Sequence, residues 1–210
     1  MTDHLDARER AELCDLLLEL GPDAPTLCEG WRTLDLGAHL VIREREPRTT
    51  PGILSDRFAG YTHRRQDVWA DKGLDEVVTK IRSGPPLIPW GLPGLRTLVN
   101  LNEYVVHHED VRRANGLGPR TDRSDLDDAM WNVVKRSARM ATRSLKNVGL
   151  VLARPNGESA RARKGEPAVT ATGAPVDLAL FLGGRTGAAQ VELSGPADSV
   201  AAVRSASFGV

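Results

Sequence analysis

Two stretches of the chain carry side chains that can bind a metal ion. In the first, NLNEYVVHHEDVRRANG (residues 100–116), Glu103 and His107 are four residues apart, so that on a helix they lie on one face. Asp110 follows three residues later and lies close to that face. A carboxylate and an imidazole at this spacing can reach a single ion. The alternative is a surface helix on which Glu103 and His107 simply share a hydrogen bond.

The second stretch is TLDLGAHLVI (residues 33–42), in which His39 is surrounded by apolar residues. Taken alone, such a histidine is typical of a protein core. In a helical bundle, however, inward-pointing groups of facing helices meet, so His39, Glu103 and His107 together form a set of two histidines and one carboxylate. This set leaves coordination positions open, which suits a catalytic ion better than a structural one. We expect a divalent ion, zinc first, with nickel and iron(II) also compatible.

Other reactive side chains have simpler interpretations. Cys28 precedes Trp31 by three residues. Three interpretations are open for it: a reactive thiol, an extra metal ligand, or a small residue that packs against Trp31. We favour the last. Cys14 follows a leucine in the first amphipathic stretch and is expected in the core. On a helix His108 points about 100° away from His107, so we leave it out of the ligand set.

The elements that must position these side chains follow from the hydrophobic periodicity. Helical spacing predicts helices over residues 5–20, 34–46, 51–72, 74–82, 95–115 and 125–147. The four prolines of PPLIPWGLPG (residues 85–94) exclude a helix interior there.

After residue 148 the pattern changes to short strands, which we predict in GLVLARP, ARARKG, PAVTATG and QVELSG. Asn156-Gly157 is a hairpin turn signal, and short helices are expected at 175–182 and 196–205. We therefore predict a helical bundle over residues 1–147 and a small α+β domain over residues 148–210.

Composition excludes several classes of protein. Apolar residues make up 40% of the chain, which is enough for a core, and 28 basic residues balance 28 acidic ones. With a net charge of zero, the chain has no overall excess of positive charge with which to bind nucleic acid. No apolar run is long enough to span a membrane, and the charged first twenty residues do not resemble a secretory signal. With two cysteines, a disulfide framework is not expected, and the default location is the cytoplasm.

Three motifs resemble one family, the mycothiol-dependent maleylpyruvate isomerases. TLCEGWRTLDLGAHL (residues 26–40) looks like the opening of that family, and Glu103, His107 and Asp110 resemble its second metal motif. APVDLALFLGGRTGAAQVELSG (residues 174–195) is similar to the signature of its C-terminal domain. The resemblance implies a DinB/YfiT-like antiparallel four-helix bundle followed by a small mixed α/β domain, with His39, Glu103 and His107 as metal ligands.

The resemblance also implies the chemistry, in which a metal-bound thiol, here mycothiol, attacks a small electrophile. The stretch VIREREP (residues 41–47) and His108 depart from the better-known members, so the chain resembles an uncharacterised subgroup and its substrate stays open. Arg185, at the end of the GGR turn, and Arg43, one turn after His39, are candidates for orienting an anionic substrate or the thiol.

Three functions remain open at this point. The first is a metal- and thiol-dependent transferase or isomerase with a small electrophile and a small thiol as its partners, acting as a monomer or a small homo-oligomer. The second is a non-catalytic metal-binding protein that binds or senses a small ligand. The third is a purely structural helical domain in which Glu103 and His107 only pair with each other.

Overall fold

The computed structural model describes residues 5–50, 52, 56–86 and 95–208. Two compact units divide the chain, Met1–Pro119 and Arg120–Val210. No helix within the described ranges is long and apolar enough to cross a membrane.

Helices make up the described part of the first unit. They are α1 (Leu5–Leu20), α2 (Thr33–Arg45), α3 (Ala59–Ala70), α4 (Leu74–Arg82) and α5 (Leu95–Ala114), with short 3-10 turns at Pro47–Thr49 and Asp56–Phe58. The predicted helices 5–20, 34–46, 74–82 and 95–115 agree with these bounds within one residue. The helix predicted over 51–72 is shorter, and residues 51 and 53–55 of that prediction lie outside the described residues, as do residues 87–94 of the proline-rich stretch.

Four helices, α1, α2, α4 and α5, pack around one apolar core. Its fully or almost fully buried members include Leu13, Leu17, Leu36, Leu40, Val77, Ile81 and Tyr104. The close approach of α2 to α4 depends on Gly37, since a Cβ atom there would lie 2.8 Å from Cγ1 of Val77. A larger residue at position 37 would push apart the helices that carry the core.

A buried polar network crosses the same core. Arg10 on α1 donates two hydrogen bonds to the carboxylate of Glu44 on α2, at 2.5 and 2.7 Å. It also donates to the Tyr104 hydroxyl on α5 at 2.6 Å and to the backbone carbonyl of Ile81 on α4 at 3.0 Å. One guanidinium thus joins all four helices. Because each partner is buried, the network stabilises one arrangement of the helices rather than several.

The second unit combines a four-stranded sheet with three helices in its described part. In chain order these are α6 (Ser124–Ala141), β1 (Gly149–Ala153), β2 (Ser159–Arg163), β3 (Ala168–Thr172), α7 (Pro175–Leu182), β4 (Glu192–Ser194) and α8 (Ala197–Ser205). The strand order is β2-β1-β3-β4, with β1 parallel to β3 and the outer strands antiparallel to their neighbours. All four predicted strands and both predicted short helices are present. The turn at Asn156-Gly157 connects β1 to β2, and Gly157 has a positive φ of 90°.

The helix α6 differs from its prediction in length and in placement. It ends at Ala141 instead of residue 147, and the chain turns into β1 through Asn147, which has a φ of 60° that asparagine tolerates. Its apolar side packs against α7 and β2. The division into compact units therefore falls before α6, whereas the change in sequence periodicity predicts a boundary after it, at 147/148.

We expect Glu44→Gln to destabilise the first unit strongly. The substitution weakens a bidentate contact and removes the carboxylate charge that binds the buried Arg10 directly, which costs about 3–5 kcal/mol of unfolding free energy. The matched control is Glu76→Gln, because the side chain of Glu76 is 58% exposed in its pair with Lys72 and such pairs contribute about 0.5 kcal/mol. Urea unfolding of both variants measures the difference. Equal unfolding free energies would contradict the assignment of the Arg10 network.

Candidate metal centre

Two helices bring the predicted ligands together. His39 projects from α2, and Glu103 and His107 project from α5, one helical turn apart. The ligand atoms of the three residues lie within 4.8 Å of one another. Both histidines are 7% exposed, and the Glu103 side chain is 22% exposed. All three predicted ligands therefore lie on helices of the first unit, with their ligand atoms close together.

One carboxylate oxygen is the focus of this centre. Oε1 of Glu103 lies 3.3 Å from Nε2 of His39 and 3.2 Å from Nε2 of His107. It also lies 3.1 Å from Nε of Arg43, whose guanidinium is 3.4 Å from Oδ1 of Asn100. Two imidazoles and a guanidinium thus surround a single anionic group.

The surroundings set the charge of each group. Burial lowers the pKa of His39 below the ordinary histidine value, and its hydrogen bond to Glu103 offsets this only in part. Burial alone would raise the pKa of Glu103. The charge of Arg43 and the hydrogen bonds to His107 and His39 outweigh burial and hold that pKa well below its usual value. A neutral imidazole and an ionised carboxylate are the forms that coordinate a metal ion.

Asp110 faces the other ring nitrogen of His107. Its Oδ2 lies 3.0 Å from Nδ1 of His107, and the carboxylate is fully buried. Burial disfavours the charged imidazole, but hydrogen bonds to Asp110, Cys28 and Glu103 outweigh it and hold the pKa of His107 well above the ordinary value. Without an ion the ring is therefore charged and carries a proton on both nitrogens. An ion would displace the proton on Nε2, and the carboxylate on Nδ1 would keep Nε2 directed at the ion, which is the common arrangement for a metal-binding histidine.

A loop adds two residues to the centre. The Trp31 ring lies against His39 at 4.9 Å between centroids, and Sγ of Cys28 is 3.2 Å from Oδ2 of Asp110. The backbone N–H of Leu27 donates to the carbonyl of Asp110 at 3.1 Å, which ties the loop to α5. Sequence reasoning places Cys28 against Trp31 and misses its contact with Asp110. The spacing of residues along the chain gives no signal for this contact, because the two residues are 82 positions apart.

The remaining candidates lie elsewhere in the chain. His108 is buried, and its Nδ1 is 3.2 Å from Glu9 on α1, so it does not share the group formed by His39, Glu103 and His107. Arg185 belongs to the second unit, where its Nη1 donates to the carbonyl of Gly183 at 2.7 Å. Its contribution to an anion site stays a prediction.

The first cysteine is isolated from solvent. Cys14 is fully buried among core side chains, as expected, and burial raises the pKa of its thiol to about 11. At neutral pH this group is a thiol and packs as a small apolar residue.

A crystal structure of the mycothiol-dependent maleylpyruvate isomerase is similar to this chain, with a TM-score of 0.55. The two share 16% sequence identity over 92% of this chain and 90% of that chain. No family model and no curated protein sequence matches the chain. The likeness shows the fold, and it confirms the predicted class, a helical bundle followed by a small mixed α/β part.

We expect Cys14 to resist alkylation in the native protein. With a thiol pKa of about 11, only about one Cys14 side chain in a thousand is ionised at pH 8, and the sulfur is out of contact with the reagent. Mass spectrometry after iodoacetamide treatment at pH 8 should find Cys14 unmodified until denaturant is added. The native Cys14→Ala variant should label to the same extent as the parent. Rapid native labelling at Cys14 would contradict this.

Proposed function

We propose that the protein is a metal-dependent enzyme that uses a low-molecular-weight thiol, mycothiol, to act on a small electrophile. The reaction is S-transfer to the electrophile or isomerisation through a transient thiol adduct. The observation that carries the proposal is the convergence of His39, Glu103 and His107 within 4.8 Å. The fold likeness to the mycothiol-dependent maleylpyruvate isomerase supports the choice of thiol.

The residues fit a divalent ion, with zinc the expected one and nickel and iron(II) compatible. Two imidazoles and one carboxylate would hold it, and this set leaves positions for exogenous ligands. When bound, such an ion supplies the positive charge that favours the thiolate form of a coordinated thiol at neutral pH.

The chain's own residues prepare that site. Arg43 holds Glu103 ionised and fixes its orientation through the 3.1 Å contact with Oε1. Burial holds His39 neutral, and the Asp110 carboxylate accepts a hydrogen bond from Nδ1 of His107. Because these groups are fixed before a ligand arrives, little reorganisation is needed when thiol and electrophile meet.

An external thiol fits the state of the protein's own cysteines. Cys14 is buried, with its pKa raised to about 11. Cys28 directs its S–H at the carboxylate of Asp110 at 3.2 Å, so this sulfur is engaged in a hydrogen bond within the protein. The nucleophile is therefore assigned to the cosubstrate.

Arginine side chains are proposed to orient anionic groups of the substrate or the thiol. Arg43 lies beside Glu103 with its side chain 11% exposed, so its first role is to hold the carboxylate ligand. The same role is proposed for Arg185, which lies in the turn after α7. A guanidinium suits this task because it binds carboxylates through two parallel hydrogen bonds.

The alternative is a non-catalytic metal-binding protein that binds or senses a small ligand. The 7% exposure of both histidines favours it, because a closed centre retains an ion more easily than it admits two reactants. In either case we propose small molecules as partners and the cytoplasm as the location, with a monomer or a small homo-oligomer as the assembly.

Elemental analysis of the purified protein should find about one divalent ion per chain. The ion content should fall sharply in His39→Ala and His107→Ala, because each removes one of three ligands. The matched control is His63→Ala, since His63 is exposed on α3 and should leave the ion content unchanged. Full occupancy in both ligand variants would show that the ion binds elsewhere.

We expect consumption of an electrophile only when ion and thiol are both present. The assay compares metal-loaded and chelator-treated protein, each with and without mycothiol, on maleylpyruvate-like acids and a chlorinated aromatic compound. Arg43→Ala and Arg185→Ala should each lower activity on the acids if they orient anions. Calorimetry that finds no mycothiol binding to the fully loaded protein would reject the enzyme and favour the metal-binding alternative.

A further inference from the structure

The Cys28 thiol forms a contact that the proposed reaction does not use. Its Sγ lies 3.2 Å from Oδ2 of Asp110 and 3.9 Å from Nδ1 of His107. The same oxygen of Asp110 is 3.0 Å from Nδ1 of His107. One buried carboxylate oxygen therefore faces both a thiol and an imidazole.

In this contact the carboxylate accepts hydrogen bonds, and the thiol and the imidazole donate them. An ionised carboxylate only accepts hydrogen bonds, so Oδ2 of Asp110 receives the S–H of Cys28 and the Nδ1–H of His107. When Nδ1 carries a proton in the neutral ring, the lone pair lies on Nε2. That nitrogen faces Glu103 and lies on the side of His39.

The loop that carries Cys28 is fixed against the end of α5. The hydroxyl of Thr26 accepts the backbone N–H of Cys28 at 3.1 Å and donates to the carbonyl of Trp31 at 3.0 Å. Asn115 donates to the carbonyl of Pro25 at 3.0 Å. The thiol is thus held at Asp110 by the backbone, and its position does not depend on packing against Trp31 alone.

We propose that Cys28 is a positioning residue of the metal centre: its S–H fixes the Asp110 carboxylate, which keeps the proton of His107 on Nδ1 and presents Nε2 to the ion. The inference rests on the proposed metal site. It assigns the protein thiol a role as hydrogen-bond donor, distinct from that of nucleophile or ligand.

A competing role for the same atoms is direct coordination. Cys28, Nδ1 of His107 and Asp110 also lie within 4.8 Å of one another. An ion held there would use the nitrogen that Asp110 holds and would displace both hydrogen bonds. The two roles differ in which nitrogen of His107 faces the ion and in whether sulfur binds it.

The test compares Cys28→Ala, Cys28→Val and Cys28→Ser. Zinc affinity is measured by competition with a chromophoric chelator, and ¹⁵N NMR of the zinc-loaded protein reports which nitrogen of His107 carries the proton. Removal of a hydrogen bond that orients a metal ligand typically costs about tenfold or more in metal affinity. We expect this loss in Cys28→Ala and Cys28→Val. Serine retains a donor to Asp110, so Cys28→Ser should restore most of the affinity and keep the Nδ1 proton.

Cys28→Val keeps the proposal testable if Cys28→Ala unfolds, and thermal unfolding of the metal-free proteins detects this. Equal zinc affinity in the parent, Cys28→Ala and Cys28→Val proteins would overturn the positioning role while leaving the metal site intact. If zinc binds Nδ1 of His107 and Cys28→Ser loses as much affinity as Cys28→Ala, then Cys28 is a ligand and the proposal is wrong. A parent that binds no zinc would reject the metal site and this inference together.

Discussion

The candidate centre depends on the ionised carboxylate of Glu103, because three nitrogen-bearing side chains converge on its Oε1 atom. His39, His107 and Arg43 all lie within 3.3 Å of that oxygen. Without the negative charge, two imidazoles and a guanidinium would be crowded together with no common partner. A divalent ion would be held by the same three side chains, the imidazoles of His39 and His107 and the carboxylate of Glu103, and Arg43 would still hold that carboxylate.

The helix packing keeps this convergence in place. Arg10 joins α1, α2, α4 and α5 through buried contacts with Glu44, Tyr104 and the carbonyl of Ile81. Tyr104 follows Glu103 directly on α5, so the network fixes the helix beside the site. Rotation of α5 would break the buried hydrogen bond at Tyr104 and the contacts of the Glu103 carboxylate together. The stability of the bundle is therefore coupled to the geometry of the centre.

The sequence predicted the helices and the three candidate ligands, but it did not predict every contact between distant segments. Helical spacing alone placed Glu103 and His107 on one face. His39 joined them through the expectation that inward-pointing groups of facing bundle helices meet. The contact of Cys28 with Asp110 joins residues 82 positions apart, and no periodic pattern encodes it. The placement of α6 in the second unit likewise depends on which neighbour covers its apolar side, a tertiary choice that helical spacing leaves open.

The central claim is that the ion held by His39, Glu103 and His107 accepts an external thiol. Visible absorption spectroscopy of the cobalt-substituted protein tests it most directly, because a sulfur ligand adds a charge-transfer band to the spectrum. We predict that mycothiol added to the loaded parent produces this band, that it saturates at about one thiol per ion, and that His39→Ala abolishes it. A spectrum of the loaded parent that does not change on addition of thiol would contradict the account.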